Sequence, residues 1–239
     1  MFNRWRRFSY AAQKDQVHRI RWILVWVAAF VFSYFILTSF FFFTAELETD
    51  TMQPALHRGD RFIFSSHAIY RLLPDAVGSS RIRRGSIVLL DTSLKTKRSI
   101  LHQTADMVIR FFSAQRLSLL GRNDSNYLKR VVGLPGDEVT MTNYIVRVRP
   151  AGSAYDLTEY ERSDELYDVT IPQVPALWDE SLPFSGNMEP IVLGENQCFV
   201  LSDDRTITND SRIWGPVDLD LIAGKALLRY WPLSRFGRP

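Results

Sequence analysis

Cysteine is almost missing from this chain. Its 239 residues include one, Cys198. A single thiol closes no disulfide within the chain and builds no cysteine metal site. Its expected place is a small apolar position in the core. If the domain lies outside the cytoplasm, it must be stable without a covalent staple. Histidine is scarce as well: His18, His57, His67 and His102 are the four, and none sits in a recognisable triad context. His57 reads as a solvated loop residue. No metal and no cofactor are expected. Positive charge is lacking where a nucleic acid would need it. The net charge is +3, yet Arg4, Arg6, Arg7, Lys14, Arg19 and Arg21 face Asp15 alone within residues 1–21, which gives that tail +5 and the other 218 residues −2. A basic tail is not a binding face, so no nucleic-acid partner is expected.

Charge of either sign is absent from Trp22 to Phe43, a run of 22 residues reading WILVWVAAFVFSYFILTSFFFF. At about 1.5 Å per residue it spans the ~30 Å hydrocarbon core of a bilayer with slight tilt. A helix satisfies its own backbone hydrogen bonds, which makes such a run tolerable in lipid. The flank before it is basic, and the flank after it carries Glu46, Glu48 and Asp50. Positive flanks stay cytoplasmic, so the long C-terminal part is expected outside the cell membrane. A cleaved signal peptide is disfavoured, because the run is too long and no small-x-small site follows it. The expected organisation is a cytoplasmic tail at 1–21, a transmembrane anchor at 22–43 and an extracytoplasmic domain at 44–239. Roughly 190 residues beyond the anchor suffice for a sizeable core.

That domain is expected to be mainly β. Arg61–Ser65 alternates polar and apolar residues, as a half-buried strand does. Ser86–Leu90, Tyr127–Val132, Tyr144–Arg149, Gln197–Leu201 and Ala223–Tyr230 are further strand candidates. Gly133-Leu134-Pro135-Gly136-Asp137 is strong turn punctuation after Tyr127–Val132. The apolar spacing over about 99–120 is nearer to 3.6 than to 2 and predicts an inserted helical segment. Residues 140–193 read as an excursion of β-hairpins and loops.

Four blocks stand out: TDTMQPALHRGD at 49–60, RRGSIVLLD at 83–91, YLKRVVGLPGDEV at 127–139 and SDDRTITNDSRIWGPV at 202–217. Each is weak alone. In this order, behind an N-terminal anchor, they resemble the type I signal peptidases, membrane-bound Ser/Lys peptidases that cut signal peptides from exported proteins. The family's Ser-Met-x-Pro is matched by Thr51-Met52-Gln53-Pro54, followed by Leu56 and Gly59-Asp60. Its Lys-Arg-Val-x-Gly-x-Pro-Gly-Asp is matched by Lys129 to Asp137. Its Gly-Asp-Asn-Arg-x-x-Ser-x-Asp-Ser-Arg-x-Trp-Gly is matched by Ser202 to Gly215. The resemblance is weak over 61–82, 92–126 and 140–193.

The resemblance implies a hydroxyl/lysine dyad of Thr51 and Lys129. The oxyanion donors would be the Thr51 backbone N–H and the Thr49 hydroxyl, and Thr208 would orient the lysine. Arg130, Asp203, Asp210 and Arg212 would support the site. Leu47, Met52, Leu56 and Leu128 match apolar positions that shape the substrate pocket. Three family serines are threonines here, and the residue between Thr49 and Thr51 is Asp50 where glycine is usual. A hydroxyl survives at all three places, which argues that O–H chemistry is still used.

The chemistry is consistent with those assignments. An alcohol needs a base within hydrogen-bond reach. A lysine is protonated at neutral pH unless burial lowers its pKa. In the run Leu128-Lys129-Arg130-Val131-Val132, period 2 places Lys129 with Val131 on one face. The implied partners are signal peptides of preproteins, membrane lipid and a secretion translocon. Cleavage would follow small residues at −1 and −3. About seven residues separate Phe43 from Thr51, at most ~25 Å, which keeps the chemistry near the membrane surface. Three alternatives remain: a non-catalytic relative that binds peptides or supports a secretion complex, an anchored β domain with chance matches, and a DNA-binding relative of the same chemistry.

Overall fold

The computed structural model describes residues 10–36, 41–66, 82–91, 126–163, 166–173 and 186–239. The helical insertion expected at 99–120 lies outside the described residues. The chain divides into one unit ending at Phe41 and another from Phe42 to Pro239.

The first unit holds α1, Tyr10–Ile36. Its stretch Gln16–Tyr34 covers 19 residues at mean hydropathy 1.3, and none of it is buried within the protein. Nineteen residues rise about 28 Å, so this helix is long and apolar enough to cross a membrane. Phe42 and Phe43, read in the sequence as the end of the apolar run, belong instead to the first strand. Aromatic side chains suit a pleated, half-buried surface. Phe43 takes that place by stacking on Phe64, with ring centroids 5.2 Å apart.

The second unit is mainly β. Its strands are β1 Phe42–Glu46, β2 Arg61–Ser66, β3 Ile87–Asp91, β4 Asn126–Gly133, β5 Glu138–Thr142, β6 Ile145–Arg149, β7 Leu157–Thr158, β8 Met188–Val192, β9 Gln197–Leu201, β10 Val217–Asp218 and β11 Ile222–Trp231. Two single-turn helices, α2 Glu159–Arg162 and α3 Ser211–Trp214, complete the α-helical content of this unit's described residues. One antiparallel sheet has the order β1-β2-β11-β3-β4-β9-β10, and a smaller one has the order β7-β6-β5-β8. The six stretches expected as strands fall on β2, β3, β4, β6, β9 and β11.

Local pattern explains the faces. In β6, Val146 and Val148 are buried while Ile145, Arg147 and Arg149 are exposed, which is the period-2 signature of a sheet with one wet face. The central strand β4 is covered on both sides instead. Leu128 packs with Met52, Leu56, Phe62 and Phe64, whereas Val131 packs with Val88, Leu90 and Val200. Cys198 lies in this second cluster. It is fully buried, and burial pushes its thiol up to about 12, so it behaves as an inert core residue.

The turn after β4 needs its glycines for two reasons. Gly136 sits at φ +81°, a left-handed conformation that costs other residues energy. Gly133 is needed for lack of room: a Cβ there would fall 2.7 Å from Val139 Cγ2 and 2.8 Å from Leu193 Cδ1. We expect Gly133→Ala to lower stability by about 1–3 kcal/mol through overpacking, read as an earlier midpoint in chemical denaturation.

Candidate active site

The turn that carries Thr51 is closed by its own backbone. The Leu47 N–H donates to the Asp60 carbonyl at 2.8 Å, and the Gly59 N–H donates to the Leu47 carbonyl at 2.8 Å. Met52 and Leu56 are fully buried and join Leu47 and Leu128 in one core cluster. The four leucine and methionine positions expected to shape a pocket are therefore gathered on one side of β4. Asp60 fastens the far end of the turn. Its buried carboxylate accepts from Arg235 Nη2 at 2.8 Å and from the His57 N–H at 3.1 Å. The His57 ring is exposed, and Nδ1 accepts from Arg235 Nη1 at 2.6 Å, since a guanidinium can only donate.

Held this way, Thr49 and Thr51 bring their hydroxyl oxygens to 3.1 Å. Among the described residues the Thr51 N–H makes no hydrogen bond. Asp50 between them is exposed, and its Oδ1 accepts from Gln53 Nε2 at 2.9 Å. Its charge is thus spent within the turn and in water.

Lys129 is 1% exposed. It pairs across the ladder with Val88 and shares a face with Val131, both fully buried. The Trp214 ring lies 5.7 Å from Nζ. Nζ donates to Ser202 Oγ at 2.7 Å. Burial pulls its pKa from an ordinary lysine's 10.5 down to about 8; Asp210 and Asp203 oppose this shift and Arg212 assists it. About a tenth of the amine is then neutral at pH 7.

The loop after β9 builds the surroundings of that amine. Arg130 Nε and Nη2 grip the two Asp203 oxygens at 2.7 and 2.6 Å, and Nη1 donates to the Gly85 carbonyl at 2.7 Å. The guanidinium also lies over the Tyr167 ring, 4.0 Å from its centroid. Asp210 caps α3 and accepts from the Arg212 side chain at 2.9 and 2.8 Å and from the Ser202 N–H at 3.0 Å. Burial alone would raise the Asp210 pKa, but Arg212 and these backbone donors hold it below its ordinary value. Arg205, fully buried, pairs with Glu159, which also accepts from the Tyr167 hydroxyl at 2.8 Å. Removing one partner of a buried pair strands the other charge. We expect Asp203→Ala to cost about 3–5 kcal/mol in equilibrium unfolding.

Among the described residues, then, Lys129 is brought together with Ser202, Asp210, Arg212 and Trp214, and Thr49 with Thr51. The two groups are joined by one backbone bond, Asp204 N–H to the Thr51 carbonyl at 3.1 Å, and by the packing of Leu128 beside Met52. The hydroxyl of Thr51 bonds Thr49 and the amine of Lys129 bonds Ser202; no hydrogen bond joins Thr51 to Lys129. The Thr208 carbonyl accepts from the Asp210 N–H at 2.8 Å, but its hydroxyl makes no hydrogen bond among the described residues. Ser202, Trp214, Glu159, Arg205 and Tyr167 were not singled out from the sequence. One signal did point to Ser202: it is a serine where the related motif has glycine.

The family described as signal peptidase, peptidase S26 matches residues 19–231, and the chain belongs to that family. It is 26% identical over 201 residues to a protein named probable signal peptidase I-1 from Synechocystis sp., covering 82% of this chain and 76% of that one. It is 32% identical over 115 residues to signal peptidase IB of Staphylococcus aureus, covering 48% of this chain and 58% of that one.

Proposed function

We propose that this chain is a membrane-anchored type I signal peptidase that cuts signal peptides from exported preproteins after small residues at −1 and −3. The anchor is the apolar segment near the N-terminus, with the basic tail in the cytoplasm and residues 44–239 outside. The observation that carries this reading is Lys129: a lysine of this peptidase family, 1% exposed and titrating at about 8, is an amine poised to accept a proton near neutral pH.

The chemistry is acyl transfer. Thr51 Oγ1 attacks the scissile carbonyl carbon while Lys129 takes the hydroxyl proton. The Thr51 N–H and the Thr49 hydroxyl donate to the oxyanion that forms. Collapse breaks the C–N bond, and Lys129 returns its proton to the leaving amine. Water, deprotonated by Lys129, then attacks the acyl carbon; the bond from that carbon to Thr51 Oγ1 breaks, and Lys129 returns the proton to Oγ1. Thr208, Arg130, Asp203, Asp210 and Arg212 support the amine and its loop. The substrate adds as a strand to a sheet edge; β1, terminal in its sheet among the described residues, leads straight into the Thr51 turn.

One observation favours a second reading, a relative that binds signal peptides without cutting them: Thr51 and Lys129 are each engaged elsewhere, by Thr49 and Ser202. Catalytic hydrogen bonds commonly tighten only when substrate binds. Incubation of the detergent-solubilised protein with a preprotein separates the two. The peptidase releases a mature product of defined N-terminus. A protein that retains the preprotein and never cuts it is the non-catalytic relative.

A further inference from the structure

We propose that Ser202 positions Lys129, accepting one N–H of the amine so that its lone pair keeps a fixed direction. This rests on the reading of Lys129 as the general base. The contact is short, 2.7 Å from Nζ to Oγ, and Ser202 is fully buried.

The backbone that carries the hydroxyl is held from three sides. Leu201, just before it, is paired with Arg130 in the β4–β9 ladder. The Ser202 N–H donates to Asp210 Oδ2 at 3.0 Å. Asp203, just after it, is gripped by Arg130. The acceptor is thus fixed to the same strand that carries the lysine. A neutral primary amine has two N–H groups and one lone pair on a rotatable stem. Anchoring one N–H restricts where that lone pair points, and proton transfer depends on that direction.

Thr208, which the family resemblance places in this orienting position, makes no side-chain hydrogen bond among the described residues. The serine at 202 supplies the hydroxyl from the other end of the same loop. A serine and an amine at this separation also look like a nucleophile and its base. Ser202 is fully buried, whereas Thr51 is half-buried in its turn, so the nucleophile is assigned to Thr51. Ser202 is therefore a positioning residue. The other groups facing the amine are Asp203 and Asp210 of the loop, Arg212 and the Trp214 ring of α3, and Val88 of β3. All of them remain when the serine is changed.

The test uses the full chain in detergent with Ser202→Ala and Ser202→Gly. Preprotein cleavage is followed across the Lys129 titration, and the same titration is read directly by NMR of lysines labelled at the ε-carbon. The chain has five lysines, so Lys129→Met assigns the signal. Both variants should lower kcat by on the order of 10- to 100-fold with KM unchanged. The acidic limb of the rate profile and the NMR midpoint should move down together, because the lost acceptor favours the ammonium. Unchanged kcat and midpoint in both variants overturn the proposal. So does a result in which Thr208→Val reproduces the loss and the shift while Ser202→Ala does not. If the parent protein cuts nothing, the peptidase reading fails, but the NMR midpoint still decides the contact: a downward shift in Ser202→Ala supports it, and no shift refutes it.

Discussion

Thr51→Ala should reduce preprotein processing by on the order of 10⁵- to 10⁶-fold, the loss seen when an acyl-transfer nucleophile is deleted. Thr51→Ser should retain or raise turnover. The argument for the pair is steric as much as chemical. A β-branched side chain has a restricted χ1, and its methyl occupies space beside the reacting oxygen. Here Thr51 is half-buried and its hydroxyl lies 3.1 Å from that of Thr49. Serine keeps the oxygen, drops the methyl and frees the torsion, so Oγ is no longer confined to the rotamer that bonds Thr49. Alanine removes the oxygen and leaves the fold intact, since Met52 and Leu56, not Thr51, anchor the turn in the core. The measurement is the rate of mature product release at saturating and at low preprotein. Equal rates for Thr51→Ala and the parent would mean that the bond is cut by some other group. A Thr51→Ser variant far slower than the parent would mean that the site has adapted to the methyl.

Six of the eleven strands among the described residues were legible because they carry a local signal. β2 and β6 alternate with period 2, and β4 runs into Gly-Leu-Pro-Gly-Asp, where Gly136 needs its positive φ. The assignment of Phe42 and Phe43 was not legible, because an aromatic run reads equally as lipid-facing helix or as strand. Only the stacking of Phe43 on Phe64 decides it, and that pairing joins residues 21 apart in sequence. The candidate site divides in the same way. Motif order alone pointed to Thr49, Thr51 and Lys129, and period 2 gave Lys129 its apolar face. Ser202 as the lysine's acceptor could not be read, because the contact spans 73 residues and depends on β4 pairing with β9. Glu159 was equally hidden: it lies in the weakly patterned excursion, yet it is the buried counter-ion of Arg205 in the motif loop.

Lys129→Met should abolish cleavage to the same floor as Thr51→Ala, and the double variant should be no slower than either. Groups that act as one unit are lost once, so their effects do not multiply. In the parent, kcat/KM should rise about tenfold per pH unit below the Lys129 midpoint at about 8 and level off above it, because the neutral amine is the active form. The same substitution has an opposite effect on stability. The unfolded lysine titrates at 10.5 and the folded one at about 8, so the unfolded state binds more protons between those values and parent stability rises with pH across that window. At pH 7 the burial of a mostly charged amine costs the fold about 3 kcal/mol, a cost that shrinks to about 1 kcal/mol at pH 10. Methionine fills a similar volume without charge, but it leaves the Ser202 hydroxyl without its donor, a loss of about 1 kcal/mol or more. The expected result is a dead variant that is more stable than the parent at pH 7 and loses that advantage toward pH 10. Denaturant unfolding of both proteins at the two pH values measures it. A stability difference that does not change with pH would show that Lys129 titrates alike in the folded and unfolded chain, and the poised amine would be lost with it.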